Sequence, residues 1–482
     1  MIATFNPAFT YPIFGDEEAI FGYRGLSIDL AFAAHNLKPH IKISWDEQFK
    51  KIGEIEASDV RGALDDFAPS SAFSTEPRSK VLADPGASSF TPPGTHLHSY
   101  KVEGDTFEVW TASLADAAAR QLLENVQILV PLFIEGGTIL QLEQPWVTER
   151  WKVFFLYQRQ ENKTNTSPYV LVGYATSYRV FTLPDRRNPS QADLNLLGNG
   201  ANDMDAVLKR WSSDASEMDG GLKNPLELPS RERISQFLIL PPYQGSGHGA
   251  HLYGAVYDQL SKAANVCEIT VEDPNEAFDD MRDICDLVHL RENNDDFASL
   301  AINPKVNASS LKPHAGIPMD SIVDGDAKRR IKTQSKIMPR QLSRLVEMQT
   351  LSKIPQLHRS IHRITRKEKS SDDQDKAYYL WRLYVKQRLF VTNRDTLIQL
   401  DREERIEKLE STVEAVLVDY DRLLAAADKR ARLMANGDHV RLNESRRQGK
   451  KRKLVVEDDD EDDELDTEVG VQSSEKRQKS EA

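Results

Sequence analysis

The 482-residue chain is poor in cysteine, with Cys267 and Cys285 alone. Two thiols cannot build a disulfide framework, which fits a reducing compartment. No run of ~18 apolar residues occurs, so nothing in the sequence is expected to span a membrane. The start, Met1 to Pro7, lacks a basic segment followed by an apolar one, so no secretory signal is expected. No Cys/His spacing suggests a metal site, and no Gly-Lys-Ser/Thr follows a glycine turn, which excludes a nucleotide P-loop. A basic excess is missing too. The formal charge is −13, ten acids between Glu457 and Glu468 account for most of it, and the rest of the chain keeps −3. No direct nucleic-acid binding is expected. Hydrophobic residues are 39% of the chain, enough for real cores, and the length predicts two or three domains.

What is present centres on Arg233 to Glu276. Gln236 to Leu240 is an apolar run of strand length, stopped by Pro241-Pro242. Gln244-Gly245-Ser246-Gly247-His248-Gly249 follows, and Ala250 to Ala264 spaces Leu252, Val256 and Leu260 as a helix. Val266 to Val271 reads as a strand and ends in Glu272-Asp273-Pro274-Asn275-Glu276. Glycines at a helix start leave backbone N–H groups uncovered where the helix dipole favours an anion, so the turn suits a pyrophosphate. Its Gly-x-Gly-x-Gly spacing departs from Gly-x-Gly-x-x-Gly and argues against a dinucleotide site. Glycines also serve plain turns, so the pattern alone is weak.

Gln244 to Gly249 resembles the Gln/Arg-x-x-Gly-x-Gly/Ala signature of acetyl-CoA-binding acetyltransferases. The wider runs Ser235 to Ala250 and Ile269 to Asp283, with Phe9 to Glu18 and Ile20 to Gly25, resemble the catalytic subunits of type B histone acetyltransferases, in particular fungal ones. The resemblance covers roughly residues 5 to 350, interrupted once. It implies an α/β (α+β) fold in four parts. Residues 1–112 form an N-terminal mixed α/β domain. Residues 113–291 form the acetyl-CoA-binding core, a mixed sheet flanked by helices, with an insertion at 184–232. Residues 319–436 form a helical region, and 437–482 a disordered basic and acidic tail. Strands are read at Leu26–Ala33, Ile41–Trp45, Trp151–Tyr157 and Tyr169–Tyr178, a single helix over Leu114–Phe133, and a helix break at Pro339.

The chemistry implied is acetyl transfer from acetyl-CoA to lysine ε-amines of the fourth core histone's N-terminal tail. A lysine with its unperturbed pKa of ~10.4 must lose a proton before it attacks, so a carboxylate within reach is needed. Glu272 is the first choice, at the end of a strand, with Asp273 and Glu135 as possible sharers of the role. Their plainer readings are a strand-end turn and a surface acid. A backbone N–H from Phe237, Leu238 or Ile239 is expected to meet the oxyanion. Residues Gln244, Gly245, Ser246, Gly247, His248, Gly249 and Ala250 are expected to hold the coenzyme, with Asn275 near its pantetheine. His248 is given a structural or cofactor-side role rather than that of a base. Asp16, Glu17 and Glu18 are read as contacts for the basic tail, or else as a solvated turn. Trp151, Tyr178 and Phe181 are read as walls of the lysine channel, or else as sheet aromatics. Asp283-Ile284-Cys285 stands where some relatives have a basic residue, so one phosphate contact is expected to be missing.

The resemblance also implies a β-propeller (WD-repeat) histone-binding subunit as partner, and the third core histone alongside the fourth. The basic cluster Arg446 to Lys453 reads as a nuclear address, and nucleus and cytoplasm are the expected compartments. A histone chaperone with an incidental transferase core, or a transferase for another basic protein or amine, are the competing readings.

Overall fold

The computed structural model describes residues 3–142, 144–160, 166–182, 226, 229–306, 311, 316–365 and 372–435. The expected tail lies outside them, as does the 184–232 insertion apart from 226 and 229–232.

The N-terminal part pairs β1 (Tyr23–Arg24) with β4 (Glu47–Gln48), and β2 (Ser27–Phe32) with β3 (Pro39–Ser44), both antiparallel. The alternation read at Leu26–Ala33 and Ile41–Trp45 thus lies on paired strands. A six-stranded sheet follows. It contains β5 (Thr95–Val102), β6 (Asp105–Ser113), β7 (Trp151–Arg159), β8 (Tyr169–Phe181), β9 (Ser230–Ile239) and β10 (Val266–Val271), in the order β10-β9-β8-β7-β6-β5. All neighbours are antiparallel except β9 and β10. The sheet therefore begins at Thr95, within the stretch placed in the N-terminal domain by sequence. The cause is a tight hairpin. Glu103 and Gly104 have φ of 52° and 91°, the pair of left-handed residues that a two-residue turn needs to match strand twist.

One face of the sheet packs on α1 (Ala117–Val126), α2 (Leu129–Phe133) and the N-terminal strands. The single helix expected over Leu114–Phe133 is two helices. Pro131 has no N–H for the Gln127 carbonyl, and Val130 takes that carbonyl instead at 2.9 Å. The other face packs on α3 (His248–Ser261), α4 (Glu276–Asn293) and three C-terminal helices, α5 (Pro339–Ser352), α6 (Asp373–Thr392) and α7 (Arg402–Ala435). Pro339 opens α5, at the break the sequence suggests. The core continues without interruption from Ile269 on β10 and Leu287 on α4 to Trp381 on α6 and Tyr420 on α7. Full burial of such side chains is worth roughly 1.5–3 kcal/mol each, so the C-terminal helices belong to the transferase core.

Candidate active site

The site forms where β9 and β10 part. Their pairing ends at Ile234 and Val271, and the Glu272 amide donates to the Ile234 carbonyl at 2.8 Å. Beyond that point β9 runs on to Ile239 beside β8 alone. It also bulges. Ser177 faces Ile234 and Ala175 faces Phe237, so Ser235 and Gln236 together oppose Thr176. The Gln236 amide donates to Thr176 Oγ1 at 3.0 Å, and the Leu240 amide to the Val172 carbonyl at 2.9 Å. Both point toward β8. Strand alternation then turns the Phe237 and Ile239 amides to the opposite side, the one β10 has vacated. Leu238 faces β8 and its side chain lies in the α1–α2 core. Gly173 is opposite Ile239, where a Cβ would stand 2.5 Å from the Leu238 carbonyl; that close approach requires glycine.

The glycine turn caps α3 as expected. Gly245 and Gly247 have φ of 81° and 82°, and a Cβ on either would meet nothing within 4 Å. Gly247 is the N-cap and provides no side-chain cap, so the first-turn amides of His248, Gly249 and Ala250 keep their hydrogen-bonding capacity for a ligand. Gln244 folds back, Nε2 donating to the Ile239 carbonyl at 2.7 Å. A cavity of about 360 Å³ opens from Ser246 and Gly247 along α3 toward the end of α7. Uncapped helix amides, a vacated strand edge and adjoining space fit an extended, pyrophosphate-bearing coenzyme. The His248 ring points into the core. It is buried, shares a hydrogen bond with the Tyr100 hydroxyl through Nδ1 at 2.8 Å, and burial lowers its pKa to about 4. Asn275 uses its side chain to cap α4, accepting the Phe278 amide at 2.9 Å. Asp283, in the segment expected to lack a phosphate contact, is buried and paired with Arg344 at 2.6 Å.

Glu272 is the carboxylate at the opening. Tyr178 donates its hydroxyl to Oε1 at 2.9 Å, and Ser235 donates its own to Oε2 at 2.6 Å. Arg233 Nη1 is 4.0 Å from Oε1. The side chain remains 37% exposed, so an incoming amine can reach it. Trp151 stacks on Tyr178 with centroids 4.5 Å apart. Phe181 lies three residues beyond Tyr178 on a regular stretch of β8, and that odd spacing puts it on the other face of the sheet. Asp273 is exposed with φ of 35°. Glu135 is exposed in the turn after α2, where Gly136 donates to the Tyr11 hydroxyl at 3.4 Å. Among the described residues neither acid hydrogen-bonds Glu272. Asp16 and Glu17 are exposed, and Glu18 accepts the Thr10 hydroxyl.

Two positioning features escaped the sequence reading. Ser235 is one. The other is a buried amide pair in which Gln127 and Gln236 exchange hydrogen bonds at 3.1 Å. Gln236 Nε2 also reaches the Thr138 carbonyl at 2.9 Å, which ties the Glu135 loop to the β9 bulge. The polar signal was visible, since two glutamines sit where apolar residues would pack, but their pairing across 109 residues was not. His358, Asp372 and Asp375 also approach one another closely enough to hold an ion. Arg363 Nε donates to Asp375 Oδ1 at 2.8 Å, so a guanidinium takes the cation's place there.

A parted parallel strand pair, an uncapped helix behind a glycine turn, and a carboxylate at the parting define a coenzyme A-dependent acyltransferase. Residues 1–135 match the family described as "Histone acetyl transferase HAT1 N-terminus". The chain is 42% identical over 437 residues to the histone acetyltransferase type B catalytic subunit of Aspergillus oryzae, covering 88% of this chain and 81% of that protein. The corresponding figures for the Aspergillus fumigatus subunit are 40%, 90% and 75%, and for that of Pyricularia oryzae 37%, 92% and 90%. The chain belongs to the family of type B histone acetyltransferase catalytic subunits, whose co-substrate is acetyl-CoA.

Proposed function

We propose that the protein acetylates lysine ε-amines in the N-terminal tail of the fourth core histone before nucleosome assembly, with Glu272 as general base. The observation that supports this most is the Glu272 carboxylate, half-exposed where β9 and β10 part and held on both oxygens. The coenzyme supplies the thioester acyl group. Glu272 accepts the ammonium proton, directly or through a water, and leaves a neutral amine. The vacated amides of Phe237 and Ile239 offer donors to the developing oxyanion. Trp151 and Tyr178 give the lysine's methylene stem an apolar wall. Asp273, Glu135 and Asp16 to Glu18 add negative charge that draws a basic tail.

The reading extends to the partners: the third core histone together with the fourth, and a β-propeller WD-repeat subunit, in nucleus and cytoplasm. The test is acetyl transfer to a tail peptide of the fourth core histone, read by mass spectrometry, with wild type beside Glu272→Gln. Wild type is expected to modify a tail lysine, and the variant to bind acetyl-CoA yet react ~10²-fold more slowly or worse. Equal rates would pass the base role to Asp273 or Glu135. A wild type that binds acetyl-CoA without transfer means another acceptor, or a requirement for the propeller subunit.

A further inference from the structure

We propose that Ser235 and Tyr178 are positioning residues that hold the Glu272 carboxylate aimed at the incoming lysine. The proposal rests on the reading of Glu272 as base.

The geometry comes from three strands. β8 supplies Tyr178, β9 supplies Ser235, and Glu272 follows directly on β10. The parallel register that ends at Ile234 and Val271 sets Ser235 beside Glu272, and alternation from Arg233, the partner of Tyr178, keeps Ser235 on the face that carries Tyr178. The Ser235 hydroxyl then reaches Oε2 at 2.6 Å while the Tyr178 phenol reaches Oε1 at 2.9 Å. The Ser235 distance is that of a charge-assisted O–H···O⁻ bond, and the Tyr178 distance that of an ordinary hydrogen bond. Burial first, then the Glu272 hydrogen bond and charge, raise the Tyr178 phenol above its usual range. It therefore stays protonated and donates.

Each carboxylate oxygen has two acceptor positions. Tyr178 and Ser235 take one on each oxygen and leave one on each for the ammonium. The charged groups around Glu272 are Arg233, 4.0 Å away on β9, and the adjoining Asp273. A hydroxyl differs from the guanidinium in one respect that matters here. It stabilises the anion without cancelling its charge, so Glu272 still attracts a cation and can still take its proton.

The readout is kcat and KM for the tail peptide, measured on the full chain with acetyl-CoA. Without a hydroxyl the carboxylate can turn away from the amine, so kcat is expected to fall roughly tenfold in Ser235→Ala and in Tyr178→Phe, and Ser235→Thr to restore it. Acetyl-CoA affinity should hold in all three. In a Glu272→Gln background, which has no base to aim, Ser235→Ala is expected to cost nothing further. A wild-type kcat in Ser235→Ala and Tyr178→Phe, or a Ser235→Ala loss that adds in full to that of Glu272→Gln, overturns the proposal in favour of a packing role. If Ser235→Ala fails to fold, Tyr178→Phe and Ser235→Thr decide alone. A fully active Glu272→Gln overturns the base reading itself, a result distinct from a wild-type kcat that ignores both hydroxyls.

Discussion

Two carboxylates, Glu272 and Glu347, are each gripped on both oxygens, and the chain uses them in opposite ways. Glu347 on α5 is fully buried. Arg388 holds it bidentately at 2.7 and 2.9 Å, and the Tyr420 hydroxyl adds a third bond at 2.8 Å. Its charge is neutralised in place, and it joins α5 to α6 and α7. Glu272 is half-exposed and gripped by hydroxyls, with the nearest guanidinium 4.0 Å away. A charge meant for structure is paired until nothing is left over. The charge at Glu272 is oriented by two hydroxyls and left open to solvent.

The sharpest way to break that contrast is Glu347→Ala. It strands the largely buried Arg388 guanidinium, which costs roughly 3 kcal/mol; a chemical melt should show it, while surviving folded protein keeps the wild-type kcat. Glu272→Gln should do the reverse, losing ~10²-fold in rate, about 2.7 kcal/mol of barrier, with its melting midpoint unmoved. Gly173→Ala tests the strand edge between these extremes. Its Cβ would press on the Leu238 carbonyl, so a stability loss of roughly 1–3 kcal/mol is expected, together with weaker acetyl-CoA binding by calorimetry.

The smallest effect belongs to His248, a buried base with a neutral partner. Burial holds its pKa near 4, below the ordinary 6.5. The unfolded chain takes up the proton first, so stability is intact above pH 6.5 and falls as pH drops toward 4. The loss is roughly 1–2 kcal/mol with some water access at the helix start. His248→Asn should flatten that slope in melts at pH 7 and pH 4.5.

The glycine turn and the helix it opens were legible in the sequence because their geometry is local: three glycines, a helix period, and a strand on either side. Glu272 was legible for the same reason, as the acid that ends a strand. The Thr95–Ser113 hairpin also had a local signal, Glu103-Gly104 between alternating runs, and it was overlooked. Other features depend on partners distant in the chain. Ser235 gains its place from Glu272 on the neighbouring strand and Tyr178 on β8, and Gln236 from Gln127. On α6 Trp381 and Tyr384 are buried and Tyr378 stacks on Trp381, whereas the adjoining Tyr379 is 45% exposed. Helical spacing gives a stripe, but the rotation of the helix on the core is fixed by what it meets.

The helix after Glu272 limits how this enzyme can be cut down. α4 buries Asp283 and Asp286, and α5 supplies their partners: Arg344 and Gln341 for the first, Gln341 for the second alongside Tyr253. Arg422 and Asp428 on α7 grip Asp280 and Arg291 from outside. A fragment ending near residue 300 would contain every proposed catalytic group and still leave two acids in an uncovered apolar face. The shortest fragment worth expressing runs to Ala435, and a protease that clips between α5 and α7 would be expected to silence the enzyme without touching its site.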